Sequence, residues 1–97
     1  MKDQHTKIKG YRDLTQTEID LMNRIKDHAE TTRLLLRTVK EVRLDDKAAL
    51  HNRREAEING LTLADLQESQ RCLALAQTNL QQGFMWFVRG VALPQSF

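Results

Sequence analysis

Residues 71–97 decide the fold, and they read RCLALAQTNLQQGFMWFVRGVALPQSF. After the first residue of this stretch the only charged side chain is Arg89, whereas charged residues are dense upstream. In a helix, Leu73, Leu80 and Phe87 form an apolar stripe with a spacing of seven residues. Other apolar side chains extend this stripe or point in other directions: Phe84, Val91, Leu75, Met85 and Trp86. Because one partner helix cannot cover several apolar sides, the pattern predicts packing by a hairpin partner and by other subunits.

The length and composition indicate one small helical domain. A chain of 97 residues with 40% hydrophobic and 29% charged residues is ordinary for a globular or helical protein. Two long helices bury a thin core, so oligomerisation is the natural remedy. The net charge of +2 is too small to indicate a polyanionic partner. The single cysteine, Cys72, excludes an intramolecular disulfide and a cysteine metal cluster, and we expect it to be a small buried hydrophobe in a reducing compartment.

The chain shows no targeting or membrane signal. The N-terminal sequence MKDQHTKIKG lacks the apolar run of a signal peptide. The apolar C-terminal stretch is interrupted by amide side chains and has no unbroken apolar run of about 18 residues, which a membrane-spanning helix needs. We therefore expect a cytoplasmic protein with no membrane partner.

The first helix has a clear start. Thr15 and Glu18 have the spacing of a capping box, in which each side chain accepts a hydrogen bond from the other residue's backbone N–H. Apolar and small residues then follow an a/d rhythm: Met22, Ile25, Ala29, Thr32, Leu36 and Val39. The segment 44–46 could break this helix or lie within one continuous helix, and both alternatives remain open.

The second helix is delimited by a turn and a proline. Asn59-Gly60 is the strongest turn signal in the chain, and Thr62 with Asp65 resembles a second capping start. Pro94 ends the helix. The sequence therefore predicts an all-α fold, a long antiparallel helical hairpin assembled into a compact homo-oligomer. Its predicted boundaries are a single domain 1–97 with an arm at 1–14, a first helical segment at 15–58, a second helix at 62–92 and a tail at 93–97.

No catalytic constellation is present. The three histidines, His5, His28 and His51, share no helical face with a carboxylate pair at metal-ligand spacing. The chain contains no HExxH, P-loop, GxSxG or Cys-His pattern. We expect no catalytic residues, no metal site and no cofactor, and therefore not an enzyme.

One local group of residues has the chemistry of a binding site. Gly10 and Tyr11 present an aromatic ring ahead of the first helix, followed by Arg12, and Lys26 lies further along that helix. On spacing alone, the simpler interpretation is that Tyr11 packs against the helix and Lys26 faces water. The functional interpretation is that Tyr11 stacks on a nucleobase while Lys26 and Arg12 meet a phosphate.

Two segments resemble a known family. Residues 8–26 read IKGYRDLTQTEIDLMNRIK, and residues 75–97 read LAQTNLQQGFMWFVRGVALPQSF. The first is similar to the N-terminal signature of the phage anti-CBASS cyclic-nucleotide sponges, proteins that counter a bacterial cyclic-oligonucleotide antiphage signalling system. The second is similar to that family's L-Q-x-G-x-M core, arginine and P-x-S-F tail. Residues 31–70 carry no such resemblance.

The resemblance implies a helical-hairpin hexamer in the host cell cytoplasm that binds cyclic dinucleotides such as cGAMP between subunits. Some members also bind cyclic trinucleotides on the three-fold axes. Sponges sequester the signal without cleaving it, so the host effector is not activated. Tyr11 matches the base-stacking tyrosine of the family and Lys26 its phosphate-contacting lysine, while Arg71 is the candidate arginine of the trinucleotide site. His28 stands where a small or hydroxyl residue is expected, which places trinucleotide binding in doubt.

Three alternatives compete with this hypothesis. The first is a ligand-free structural or regulatory helical-hairpin oligomer. The second is a small DNA-binding regulator, which the balanced charge disfavours, and its candidate side chains are Arg33, Arg37, Lys40, Arg53 and Arg54. The third is enzymatic hydrolysis of the nucleotide. We expect no DNA partner.

Overall fold

Two helices make up most of the described chain. The computed structural model describes residues 12–94. Helix α1 comprises Gln16–Arg53 and helix α2 comprises Leu63–Ala92. Within residues 12–94 there is no β-strand, only an isolated bridge between Ile58 and Leu61 in the connecting turn. The prediction of an all-α helical hairpin is confirmed, and α1 is continuous through 44–46.

Both helices begin with the predicted capping boxes. At α1 the Glu18 N–H donates to Thr15 Oγ1 at 3.1 Å, and the Thr15 N–H donates to Glu18 Oε1 at 2.8 Å. At α2 the Asp65 N–H donates to Thr62 Oγ1 at 3.2 Å, and the Thr62 N–H donates to Asp65 Oδ2 at 2.9 Å. Each box satisfies backbone donors that have no partner within the helix.

Helix α1 ends before the predicted boundary of its segment at residue 58. Arg54 adopts a left-handed backbone with φ 54°. Its N–H donates to the His51 carbonyl at 3.3 Å, and the Glu55 N–H donates to the Leu50 carbonyl at 3.4 Å. These two bonds form a Schellman motif, which reverses the chain direction and stops the helix. Residues 54–58, which the sequence predicted to belong to the first helical segment, are therefore not helical.

The predicted Asn59-Gly60 corner is a tight turn. Both residues have positive φ, 53° for Asn59 and 78° for Gly60. The N–H of Ile58 donates to the Leu61 carbonyl and the N–H of Leu61 donates to the Ile58 carbonyl, each at 2.9 Å. Two consecutive positive φ values characterise a type I′ turn, for which Asn-Gly is the preferred pair.

The chain divides into two compact units, and each helix contributes to both. The first unit comprises residues 1–30 and 81–97, and the second comprises residues 31–80. In the second unit Leu50, Ile58 and Leu66 form a buried cluster. Ala49 and Leu61 pack against it. Among the described residues of the first unit, Ile25 is the one buried side chain, at 6% exposure.

The apolar stripe of α2 departs from the expected seven-residue repeat. Leu73 is partly buried, but Phe87 is 58% exposed and Val88 is partly buried instead. A helix with 3.6 residues per turn drifts by about 20° per heptad, so a strict repeat rotates away from the buried face. Phe87 is therefore not part of the stripe. Cys72 is exposed, which corrects the expectation that it is buried.

A large apolar surface remains exposed on the single chain. In the described range 12–94, large hydrophobic side chains are exposed along both helices, and they are Leu21, Leu34, Leu35, Val39, Val42, Leu44, Leu63, Leu75, Leu80, Met85, Trp86, Phe87 and Leu93. Exposed apolar side chains in this number are common where a surface is covered by another subunit. No helix in that range has the length and hydropathy needed to cross a membrane.

Candidate ligand-binding site

Lys26 is a basic residue of α1. It is exposed and follows Ile25, whose side chain is buried, so the helix backbone at this position is held by packing. Between residues 12 and 94 the structure gives Lys26 no hydrogen-bond or ion-pair partner. It lies ten residues after Gln16, which corresponds to about 15 Å along the helix axis at 1.5 Å per residue. An exposed ammonium on a rigid helix suits a phosphate contact.

Gly10 and Tyr11, two of the predicted site residues, lie outside the described residues. The next residue, Arg12, is described, and its guanidinium bridges the beginning of α1 and the end of α2. Its Nε donates to the Ala92 carbonyl at 3.1 Å, and its Nη2 donates to the Val91 carbonyl at 3.1 Å. Its Nη1 donates to Glu18 Oε1 at 3.2 Å, and its Nη2 also contacts Glu18 Oε2. Arg12, which the sequence predicted to contact a phosphate, therefore makes its hydrogen bonds within the chain.

The electrostatics of Glu18 reflect these contacts. The hydrogen bond from Arg12 and the backbone hydrogen bond from Thr15 lower the pKa of Glu18 from 4.5 to about 2. The same carboxylate raises the pKa of Arg12 through their hydrogen bond. Both groups are therefore charged throughout the neutral range. Sequence reasoning identified Glu18 only as a capping residue and did not identify Arg12, six residues earlier, as its partner.

Arg71, the candidate for the trinucleotide site, is exposed on α2 in the second unit. Its Nε donates to Glu68 Oε1 at 3.0 Å, and its Nη2 donates to Glu68 Oε2 at 2.7 Å. This bidentate contact lowers the pKa of Glu68 and raises that of Arg71. An anion at Arg71 would compete with a carboxylate one helical turn away. His28 is exposed on α1, in the first unit.

The basic residues considered for DNA binding do not form one solvated face. Lys40 is only partly exposed, and its Nζ donates to Gln77 of α2. Arg53 lies at the end of α1, and Arg54 forms the left-handed turn after it. Within residues 12–94 there is also no cluster of His, Cys, Asp and Glu that could hold a metal ion.

Sequence reasoning did not identify a cavity in the second unit. It has a volume of about 250 Å³ and contains no residue of the predicted site. Its lining combines cationic and apolar side chains from the two helices, and these are Lys40, Arg43, Leu44, Lys47, Leu66, Gln70, Leu73 and Ala74. Arg43 is already paired there, since its Nη1 lies 2.6 Å from Asp46 Oδ2. In the sequence, the spacing of Lys40, Arg43 and Lys47 at intervals of three and four residues could have indicated that these cations share one face of α1.

Comparisons with known proteins identify a family of helical-hairpin domains. The model of the Acb2/Tad1 hairpin domain matches residues 3–92. Anti-CBASS protein 2 of Pseudomonas phage JBD67 is 36% identical over 106 residues, covering 98% of this chain and 98% of that protein. These matches also span residues 31–70, for which the signatures alone gave no resemblance. They confirm the resemblance to the anti-CBASS proteins, and the chain belongs to the Acb2/Tad1 hairpin family.

Proposed function

We propose that this protein binds and sequesters cyclic oligonucleotide messengers without cleaving them, and so prevents activation of CBASS effectors in the host cytoplasm. The principal ligands are cyclic dinucleotides such as cGAMP. The observation that carries the proposal is the family match over residues 3–92, together with the name of the phage relative. A protein that sequesters its ligand needs high affinity for that ligand and many binding sites, but it needs no catalytic side chains.

The geometry of Lys26 supports a pocket shared by two subunits. Arg12 is anchored beside Glu18 in the first turn of α1, and Tyr11 precedes it directly in sequence. Lys26 lies about 15 Å further along the helix axis than Gln16. A pocket at a two-fold axis would bring together one ring and one ammonium from each subunit, and its symmetry would match a ligand with two bases and two phosphates.

The exposed apolar side chains support a homo-oligomer, with a hexamer as the expected state. Met85, Trp86 and Phe87 are 60%, 62% and 58% exposed on the single chain. Aromatic residues are the usual anchors of protein interfaces, and burying three adjacent large side chains would strongly favour association. Lys26 and these side chains all belong to the first unit.

The direct test is calorimetric titration of the protein with a panel of cyclic dinucleotides, followed by denaturation and chromatography of the released ligand. We expect tight binding with one ligand per two chains and recovery of intact ligand. Lys26→Ala should weaken binding about 10- to 100-fold, the range expected for one charge-assisted hydrogen bond. Tyr11→Ala should weaken it through lost stacking.

Lys47→Ala is the matched control, since it removes the same charge from the second unit. It should leave the affinity for cyclic dinucleotides within a factor of two of the wild type. Absence of binding across dinucleotides and trinucleotides would overturn the proposal and favour a ligand-free structural oligomer. Recovery of linear nucleotide would overturn the claim that the ligand is not cleaved.

Cyclic trinucleotide binding at Arg71 is a separate part of the proposal. The guanidinium is neutralised by Glu68 in the single chain, so a trinucleotide phosphate must displace that carboxylate or share the arginine with it. Titration of the Arg71→Ala variant with both ligand classes separates the two sites. If Arg71 serves the trinucleotide site, this variant loses trinucleotide affinity and retains dinucleotide affinity.

A further inference from the structure

The proposed function does not use the cavity of the second unit. This cavity has a volume of about 250 Å³, and all of its lining residues lie within residues 31–80. The lining includes Leu66, which is 3% exposed and belongs to the buried cluster, and Leu73, which is partly buried. The cavity therefore adjoins the packed apolar side chains of this unit.

Three cations of α1 line this cavity. Lys40, Arg43 and Lys47 are three and four residues apart, so they lie on one face of the helix. None of the described residues that line the cavity is acidic. Within residues 12–94 the structure gives Lys47 no hydrogen-bond or ion-pair partner, so its three N–H donors remain for a ligand. The Nζ of Lys40 donates to Gln77 and keeps further donors.

Arg43 is oriented by contacts that lead to the hairpin turn. Its Nη1 lies 2.6 Å from Asp46 Oδ2, and the other oxygen of that carboxylate accepts a hydrogen bond from Asn59 Nδ2 at 3.2 Å. Asn59 is itself held in the tight turn. A guanidinium carries five N–H donors, so Arg43 keeps donors for a second acceptor. A cation that is already oriented loses less conformational freedom when an anion binds.

The size and the apolar part of the lining limit the ligand. A volume of 250 Å³ lies below the usual range of roughly 300–1,000 Å³ for pockets of drug-sized ligands. At about 30 Å³ for a group the size of a water molecule, it holds about eight non-hydrogen atoms. A cyclic dinucleotide, with two nucleosides and two phosphates, is much larger. Leu44 is 58% exposed at this cavity, and an apolar ligand group would remove part of its surface from water.

We propose that this cavity is a binding site for a small carboxylate with a short apolar body. The carboxylate meets Lys47 and the fork of Arg43, and the apolar body lies against Leu44, Leu66 and Leu73. A guanidinium matches the planar carboxylate with two parallel hydrogen bonds. A carboxylate uses few of the atoms that the cavity can hold, whereas a phosphate group would leave little room for an apolar body. The inference goes beyond cyclic nucleotide binding and does not depend on it.

The first test is titration of the full chain with hexanoate, observed through the NMR signals of isotope-labelled leucine methyl groups. The signals of Leu66 and Leu73 should shift together and saturate with a dissociation constant on the order of 1 mM, as expected for so small a ligand. The signal of Leu21, which is 39% exposed in the first unit, should not shift. Equal shifts at all three leucines would show binding to exposed apolar surface in general and would overturn the inference.

A series of chain lengths tests the size of the cavity. Affinity should rise about fourfold for each CH₂ group added between butanoate and hexanoate, because each added group is buried. It should change little between octanoate and decanoate, because the additional carbons no longer fit and remain in water. An affinity that keeps rising through decanoate would contradict a closed site of this volume.

The role of charge is tested on both partners. Lys47→Ala should weaken hexanoate binding about tenfold, as expected for the loss of one charge-assisted hydrogen bond. Hexanol, which has the same apolar body and no charge, should bind at least about tenfold more weakly than hexanoate. Arg37→Ala is the matched control, because it removes an exposed positive charge from α1 in the same unit but outside the cavity. It should leave hexanoate affinity within about a factor of two. Equal binding of hexanol and hexanoate, or equal effects of the two substitutions, would overturn the inference.

A cavity-filling substitution separates a ligand site from a contact between subunits. Ala74 lines the cavity from an exposed position on α2, so Ala74→Leu should occupy part of the space and abolish hexanoate binding. Circular dichroism should show unchanged helix content, and sedimentation velocity should show unchanged association. If hexanoate does not bind the wild type and Ala74→Leu weakens association, a second copy of the chain covers the cavity and the inference is overturned. Hexanoate binding is measured without nucleotide, so this failure and that of the proposed function are distinguishable.

Discussion

The two compact units of this chain are held by different interactions. The second unit contains an apolar cluster of Leu50, Ile58 and Leu66, each less than 9% exposed. In the first unit, within the described residues, only Ile25 is buried to that degree, and the ends of the helices are joined by the polar contacts of Arg12. The second unit therefore has an apolar cluster within a single chain, whereas the part of the first unit that the structure describes has much less apolar burial.

This difference indicates where partners are needed. The first unit carries Lys26 and Arg12, and it also exposes Met85, Trp86 and Phe87. Among residues 12–94, the unit with less buried apolar surface is thus the unit that carries Lys26, a residue proposed to bind the dinucleotide. Assembly and ligand binding would therefore depend on the same part of the chain, so a change that weakens one should weaken the other.

The largest expected effect is on the apolar cluster of the second unit. Leu66 is 3% exposed, and Leu66→Ala should lower the free energy of unfolding by about 2–5 kcal/mol, the usual cost of a cavity in a packed core. Urea denaturation followed by circular dichroism measures this loss.

Leu63→Ala is the matched control, because it is the same substitution one turn earlier on α2 at a side chain that is 46% exposed. It should cost less than about 1 kcal/mol. Equal losses for the two leucines would mean that the second unit is not held by its own cluster.

An intermediate effect is expected on association through the first unit. Trp86 is 62% exposed, and Trp86→Ala should weaken subunit association at least about 30-fold, as expected for an aromatic interface anchor worth about 2 kcal/mol. Sedimentation velocity over a range of protein concentrations measures this change.

Gln82→Ala, at an exposed polar residue one turn earlier, should leave the association unchanged within a factor of about three. A wild-type protein that is monomeric at every concentration would contradict the proposed assembly. Unchanged association in Trp86→Ala would instead move the interface away from this part of α2.

Local signals in the sequence were sufficient to predict the elements of the fold. Both capping boxes and the Asn59-Gly60 turn depend on contacts between residues at most three positions apart. Such contacts are encoded in short motifs, so their spacing could be read directly. The position of Lys26 on an exposed helical surface also follows from the periodicity of α1.

Other features depend on geometry that spacing does not contain. Arg54 adopts a positive φ that usually belongs to glycine, so no residue type signalled the end of α1. Phe87 rotates away from the stripe because the helix does not repeat at seven residues. Arg12 meets Ala92 across 80 positions of sequence, and a basic residue beside a tyrosine looked like a phosphate ligand.

The smallest expected effect concerns pH and the polar contacts of the first unit. The pKa of Glu18 is lowered from 4.5 to about 2, chiefly by its hydrogen bond from Arg12. A carboxylate whose pKa is lower in the folded state stabilises that state above its unfolded pKa, and this contribution disappears as pH falls through the folded pKa. The difference in urea midpoint between the wild type and Glu18→Gln should therefore be constant above pH 5 and shrink between about pH 4.5 and 2.

Asp65→Asn, at the equivalent capping position of α2, is the comparison, because the pKa of Asp65 is lowered only by contacts with Thr62. If the Glu18→Gln difference persisted unchanged down to pH 2, the charge of Glu18 would not contribute to the stability of the first unit.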